Sequence, residues 1–128
     1  MLRGWLYKYT DTEINTEVRD SENMVDKKRY FAFVFLGAAE DCDPEKEKKV
    51  VETPTGGCIT IPVHNYEQAV DVCRKLAKED LFAIELCGGF GHLGTAKIVE
   101  AVGGKVPVGV VRFDIHPLLG GKGGDAVF

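Results

Sequence analysis

With 128 residues, 45% of them hydrophobic and 28% charged, the chain has the size and composition of one globular domain that can bury a core without disulfide staples. Sixteen Lys and Arg against twenty Asp and Glu leave a net charge of −4, which argues against broad electrostatic binding to nucleic acid. Disorder, collagen, coiled coil and a disulfide scaffold are excluded as whole-chain descriptions.

Residues 1–28 stand apart and read as an N-terminal arm, with a lengthened start as the alternative because Met24 sits just ahead of the first core strand. Leu2, Trp5, Leu6, Tyr7 and Tyr9 suit an added strand, and a polar, acidic stretch follows them. The α/β domain is expected over 29–128. Arg29 to Leu36 reads as a buried strand, and Gly37 ends it. Asp43-Pro44 looks like a cap followed by proline at the first helical position, so a charged helix is expected from Pro44 to about Glu52. The basic run Lys46, Lys48 and Lys49 is interleaved with Glu45 and Glu47 and reads as a solvated helix face. Cys58 to Val63 is the second strand. Asn65 can cap the next helix, whose Ala69, Val70, Val72, Cys73, Leu76 and Ala77 fall on one face. Leu81 to Leu86 is the third strand, Thr95 to Val102 a short helix stopped by Gly103-Gly104, and Val106 to Phe113 the fourth strand.

Three successive strand–helix–strand units predict a mostly parallel four-stranded sheet, either a three-layer sandwich or half of a barrel, with a ferredoxin-like α+β arrangement as the competitor if Asp43 to Glu52 is a loop. Strands this apolar need their edges covered, so a homo-oligomer, a dimer, is expected. No stretch reaches the ~20 apolar residues of a bilayer span, and residues 1–10 hold no continuous apolar run of the export type. A cytosolic protein with no membrane partner is therefore expected. Cys42, Cys58, Cys73 and Cys87 are spaced 16, 15 and 14 residues apart with no C-x-x-C pair, and read as reduced thiols rather than zinc ligands. No cofactor is specified.

The main functional signal is Leu86 to Gly94, between a predicted strand and a predicted helix. Gly89, Gly91 and Gly94 satisfy G-x-G-x-x-G, with Asp114 twenty residues beyond Gly94. Such a loop lets backbone amides approach an anion at a helix N-terminus. Too little chain follows Asp114 for the second half of a dinucleotide fold, so a small anionic metabolite is the better ligand. The structural alternative is a turn that needs positive φ and close helix–sheet packing. In a parallel sheet, ligands gather at the carboxyl ends of the strands. Gly88, Gly89, Gly91, His92, Gly94, Arg112 and Asp114 form the candidate binding set there, with Arg112 as bidentate counter-charge. Glu85 is costly to bury unpaired, and an ion pair with Arg112 would resolve that. Cys87, Glu85 and His116 are the catalytic candidates: Cys87 with His92 or His116 could form a thiolate nucleophile. A metal held by His92, Asp114, His116 and Glu85 matches no specific motif. His64 is expected at the rim or in the turn before Asn65. Gly120 to Gly124 lacks P-loop spacing and could form a flap carrying Lys122.

The run Ala83-Ile-Glu-Leu-Cys-Gly-Gly-Phe-Gly91, followed by Glu100-Ala-Val-Gly-Gly-Lys-Val-Pro-Val-Gly-Val-Val-Arg112, resembles a family of small prokaryotic proteins defined as a domain of unknown function. The resemblance covers about residues 30–128, so the arm precedes it. It implies that Glu85, Cys87, Gly88, Gly89, Gly91 and Arg112 belong to the family signature, and it implies no activity. Three readings remain: an α/β protein that binds an anionic metabolite at the glycine loop, a homo-oligomeric interaction module whose glycines are structural, and a Cys87-dependent enzyme.

Overall fold

A computed structural model describes residues 27–128, so the expected arm lies outside the described residues apart from Lys27 and Lys28. The aromatic run Arg29–Leu36 forms β1. Asp43 then caps a single helical turn, α1 (Pro44–Glu47), by accepting from Glu45 N at 3.1 Å. The helix expected to continue to Glu52 stops here. Lys49–Thr53 is instead a strand, β2, antiparallel to β3 (Gly56–Val63). Val50, Val51 and Thr53 are β-branched and lose rotamer freedom in a helix, while the edge of β3 offers them a ladder.

Asn65 caps α2 (Tyr66–Leu76), its Oδ1 accepting from Gln68 N at 2.8 Å. β4 (Leu81–Leu86) forms over the expected residues. α3 (His92–Val102) begins three residues earlier than expected and ends on the left-handed Gly103. β5 is shorter than expected, Val108–Val110. One bond closes each end: Ile84 N donates to Pro107 O at 2.9 Å and Val111 N donates to Leu86 O at 3.0 Å, beyond which Pro107 has no amide to donate and β4 has ended. Two 3-10 turns follow, Pro117–Leu119 and Gly124–Ala126.

The sheet order is β2-β3-β1-β4-β5, with every neighbour parallel except β2–β3. The α/β class and the mostly parallel sheet hold, with five strands rather than four. β2 has a large consequence. A helical crossover from β1 to β3 would lie across one face of the sheet. Here the chain passes over the end of β3, with Gly37 N and Ala38 N donating to Val63 O, and returns down the outer edge as β2. The two true crossovers, β3 to β4 and β4 to β5, advance in the same direction. Right-handedness therefore puts α2 and α3 together on one face. Ala32, Val34, Ile84 and Leu86 of the sheet meet Ala69, Val72, Cys73, Leu76, Ile98 and Val102 of those helices in the core. Among the described residues no helix covers the other face, and no helix is long and apolar enough to cross a membrane.

Candidate functional site

The loop from Cys87 to Gly91 joins the carboxyl end of β4 to α3. It lies where the chain leaves β1 toward one edge of the sheet and leaves β4 toward the other, the place where open α/β sheets form a crevice. Cys87 Sγ sits at this divide. It accepts from Leu36 N at 3.3 Å and from Gly89 N at 3.4 Å, which ties the loop to the end of β1.

The N-terminus of α3 already holds an anion, and the anion is the chain's own. Gly91 is the N-cap residue and offers no side chain. Asp125 supplies the missing acceptors from more than thirty residues away: Oδ2 takes Leu93 N and Oδ1 takes Gly94 N, both at 2.9 Å. These are the second and third helical amides, the ones an N-cap side chain ordinarily serves. Tyr66, the first residue of α2, completes the knot. Its hydroxyl donates to Asp125 Oδ1 at 2.9 Å and accepts from Gly91 N at 3.0 Å. Its ring stacks on Phe90 at 5.5 Å and meets Phe128 at 5.9 Å. Burial opposes the charge on Asp125, yet the two amides and the Tyr66 hydroxyl outweigh it and hold the carboxyl below its usual range. Burial, reinforced by the Asp125 carboxylate, pushes the Tyr66 phenol up to about 12.

This packing explains the glycines. A Cβ on Gly91 would lie 2.4 Å from Asp125 Cγ, one on Gly94 2.3 Å from Tyr66 Cζ, and one on Gly88 2.1 Å from the Phe113 ring. A Cβ on Gly89 would press on Leu36 and Cys87, and one on Gly124 would strike the Gly89 carbonyl at 1.9 Å. None of Gly88, Gly89, Gly91 and Gly94 has positive φ, so close approach is the constraint and the expected strained turn is not.

Beside the knot lies an open cleft of about 480 Å³ between the start of α3 and the chain leaving β5. Gly91, His92, Arg112 and Asp114 of the expected binding set line it, together with Thr95 and Asp125, which sequence reasoning missed. Arg112 Nε donates to Asp114 Oδ1 at 3.0 Å, and His92 Nε2 is 3.8 Å from the same oxygen. The Arg112 and His92 side chains are both largely exposed. Gly88, Gly89 and Gly94 support the cleft from behind without lining it. The flap residue Lys122 is held in a small bridge to His116 and does not line it either.

The other candidates disperse. Glu85 is exposed on the uncovered face of the sheet, so the expected Glu85–Arg112 pair is not formed. Solvent, rather than an arginine, accommodates its charge. His116 Nδ1 accepts from Leu118 N at 3.1 Å and caps a 3-10 turn, with its ring against Phe113. Among the described residues Cys87 has no hydrogen bond to a histidine, and no three of His, Cys, Asp and Glu converge as metal ligands. His64, at the end of β3, contacts Asn65 Nδ2 through Nε2 at 3.0 Å. Cys73 is fully buried, and burial pushes its thiol up to about 12. Cys42 is buried and raised as well, first by burial and then by its hydrogen bond to Glu47. No local pattern marks Asp125 or Tyr66. Their roles arise from contacts 25 to 59 residues distant in the chain.

Fold and site together define a small α/β protein with one helical layer, a self-capped helix N-terminus and a charged cleft at the carboxyl ends of its last two strands. The chain belongs to a family of unknown function, DUF6506, which it matches over residues 30–126. No curated protein and no solved structure matches it.

Proposed function

We propose that the chain binds a small anionic metabolite in the cleft between the start of α3 and Arg112. The observation that carries this reading is that the cleft brings Arg112, from the chain leaving β5, together with His92 and Thr95 of the first turn of α3 around a space large enough for such a ligand. The receptor is the Arg112 guanidinium rather than the α3 amides, because Asp125 already occupies those. Arg112 uses only Nε on Asp114, which leaves the fork of its two terminal nitrogens for a carboxylate or phosphate. Thr95 adds a hydroxyl, and His92 adds a donor that becomes cationic when protonated. This is a reading of binding, not of turnover.

The test is thermal denaturation with inorganic phosphate and with succinate, against chloride at equal ionic strength. A ligand present at ten times its dissociation constant adds about 1.4 kcal/mol. We expect a rise in Tm with at least one probe, lost in Arg112→Ala. No rise with either probe, or a rise that survives in Arg112→Ala, removes the reading. Native mass spectrometry of freshly purified protein complements it: mass above a whole multiple of 14.1 kDa identifies a retained ligand.

A further inference from the structure

The face of the sheet opposite α2 and α3 is apolar over most of its extent. It carries Phe31, Phe33 and Phe35 on β1, with Val51 and Cys58 in register beside Phe31. A register shift between β1 and β4 turns Phe82 onto the same face, 5.7 Å from the Phe31 ring. Phe33 and Phe35 stack at 6.3 Å. Even so, Phe82 remains 50% and Val51 62% exposed, and among the described residues no element packs across them. Parallel sheets ordinarily have both faces covered. An apolar area this continuous marks an interface.

We infer that two copies of the chain associate through this face, sheet against sheet, about a two-fold axis running along β1. The position of the stripe selects a second copy as the occupant. β1 is the middle strand of five, so its phenylalanines lie on the line that such an axis maps onto itself. The charges agree. One row across the sheet reads Lys49, Thr60, Phe33, Glu85 by register. The row continues to Gly109 on β5, so the rotation stacks Phe33 on Phe33, lays Glu85 of one copy over Thr60 of the other, and brings Lys49 over Gly109, one strand from the Glu85 of the other copy at each end. The size is also sufficient. Five strands about 4.8 Å apart and about 20 Å long present roughly 500 Å² in projection, or about 1,000 Å² for two copies. That is the lower bound of a specific interface, the size at which weak, concentration-dependent association falls. The inference is independent of the ligand reading, because the cleft opens at the strand ends and not on this face.

Sedimentation of the full chain from low to several hundred micromolar tests it. The average mass should rise from one chain toward two. Glu85→Lys, an exposed substitution that leaves the core untouched, should raise the dissociation constant at least tenfold. Adding Lys49→Glu to it should restore most of the association. Phe82→Lys should give a monomer with unchanged far-ultraviolet circular dichroism. A wild-type chain that stays monomeric throughout overturns the inference. So does a chain that dimerises only once residues 1–26 are removed, since the face then belongs to that segment. A dimer indifferent to Glu85→Lys and Phe82→Lys but dissolved by Ile115→Lys, in the exposed stretch after β5, overturns it too.

Discussion

Replacing Asp125 with alanine removes the cap of a helix thirty residues away. The two α3 amides of Leu93 and Gly94 lose their acceptors, and the buried Tyr66 hydroxyl loses its own. Loss of an N-cap side chain costs about 1 kcal/mol, and up to about 2. A hydrogen bond to a charged group contributes about 1.5–3 kcal/mol. The terms overlap, because one carboxylate serves all three donors, so we expect a total of about 2–4 kcal/mol at neutral pH. For a domain of this size the melting temperature should fall by roughly 7–15 °C. Urea denaturation across a pH series is the assay. The Asp125 carboxyl is held below its usual value in the folded protein, so its contribution is present above the unfolded value of about 3.9 and is lost as pH falls through the lower folded value. The gap between wild type and Asp125→Ala should therefore be full from about pH 5 upward and narrow progressively as pH falls below the unfolded value of about 3.9. Acetate should partly rescue the variant by filling the vacated site, returning about 1.4 kcal/mol at ten times its dissociation constant. A difference within about 0.5 kcal/mol at neutral pH refutes the reasoning. A gap that keeps its full size in acid also refutes it, because the contribution would then not be electrostatic.

Gly94→Ala should destabilise the protein by about 1–3 kcal/mol with no ligand present, measured by thermal melting, because the new Cβ meets the Tyr66 ring at 2.3 Å. Gly91→Ala should cost a similar amount in the wild-type background and much less beside Asp125→Ala, since the group it strikes is the Asp125 carboxylate; a double-mutant cycle measures the difference. Alkylation by iodoacetamide near neutral pH, followed by peptide mass spectrometry, should modify the half-buried Cys58 and Cys87 well before Cys42 and Cys73. Burial keeps the latter two protonated as well as hidden.

Local chemistry carried much of the fold into view. Asn65 and Asp43 are caps because their short side chains reach nearby amides, and β4 follows from a run of apolar residues bounded by a polar turn and a glycine pair. The α/β class and the parallel pairing follow from the alternation of such elements. Four members of the expected binding set, Gly91, His92, Arg112 and Asp114, do meet in one cleft, because the carboxyl ends of adjacent parallel strands converge whatever the loops between them.

The tertiary structure decided the rest. Lys49 to Thr53 sits beside a strong helix cap, and only the open edge of β3 makes it a strand. That single pairing replaces a helical crossover with an edge strand and leaves one face of the sheet uncovered, which no local pattern could announce. Glu85 reads as a buried charge needing Arg112, yet it stands on that uncovered face in contact with water. The glycine loop has the composition of an anion receptor for the same reason that it receives Asp125: bare backbone lets an acceptor approach helix amides closely. Sequence shows that an anion fits there. Only the folded chain shows that the anion is its own, because the carboxylate comes from the far end of the chain and a contact at that range leaves no periodicity to read.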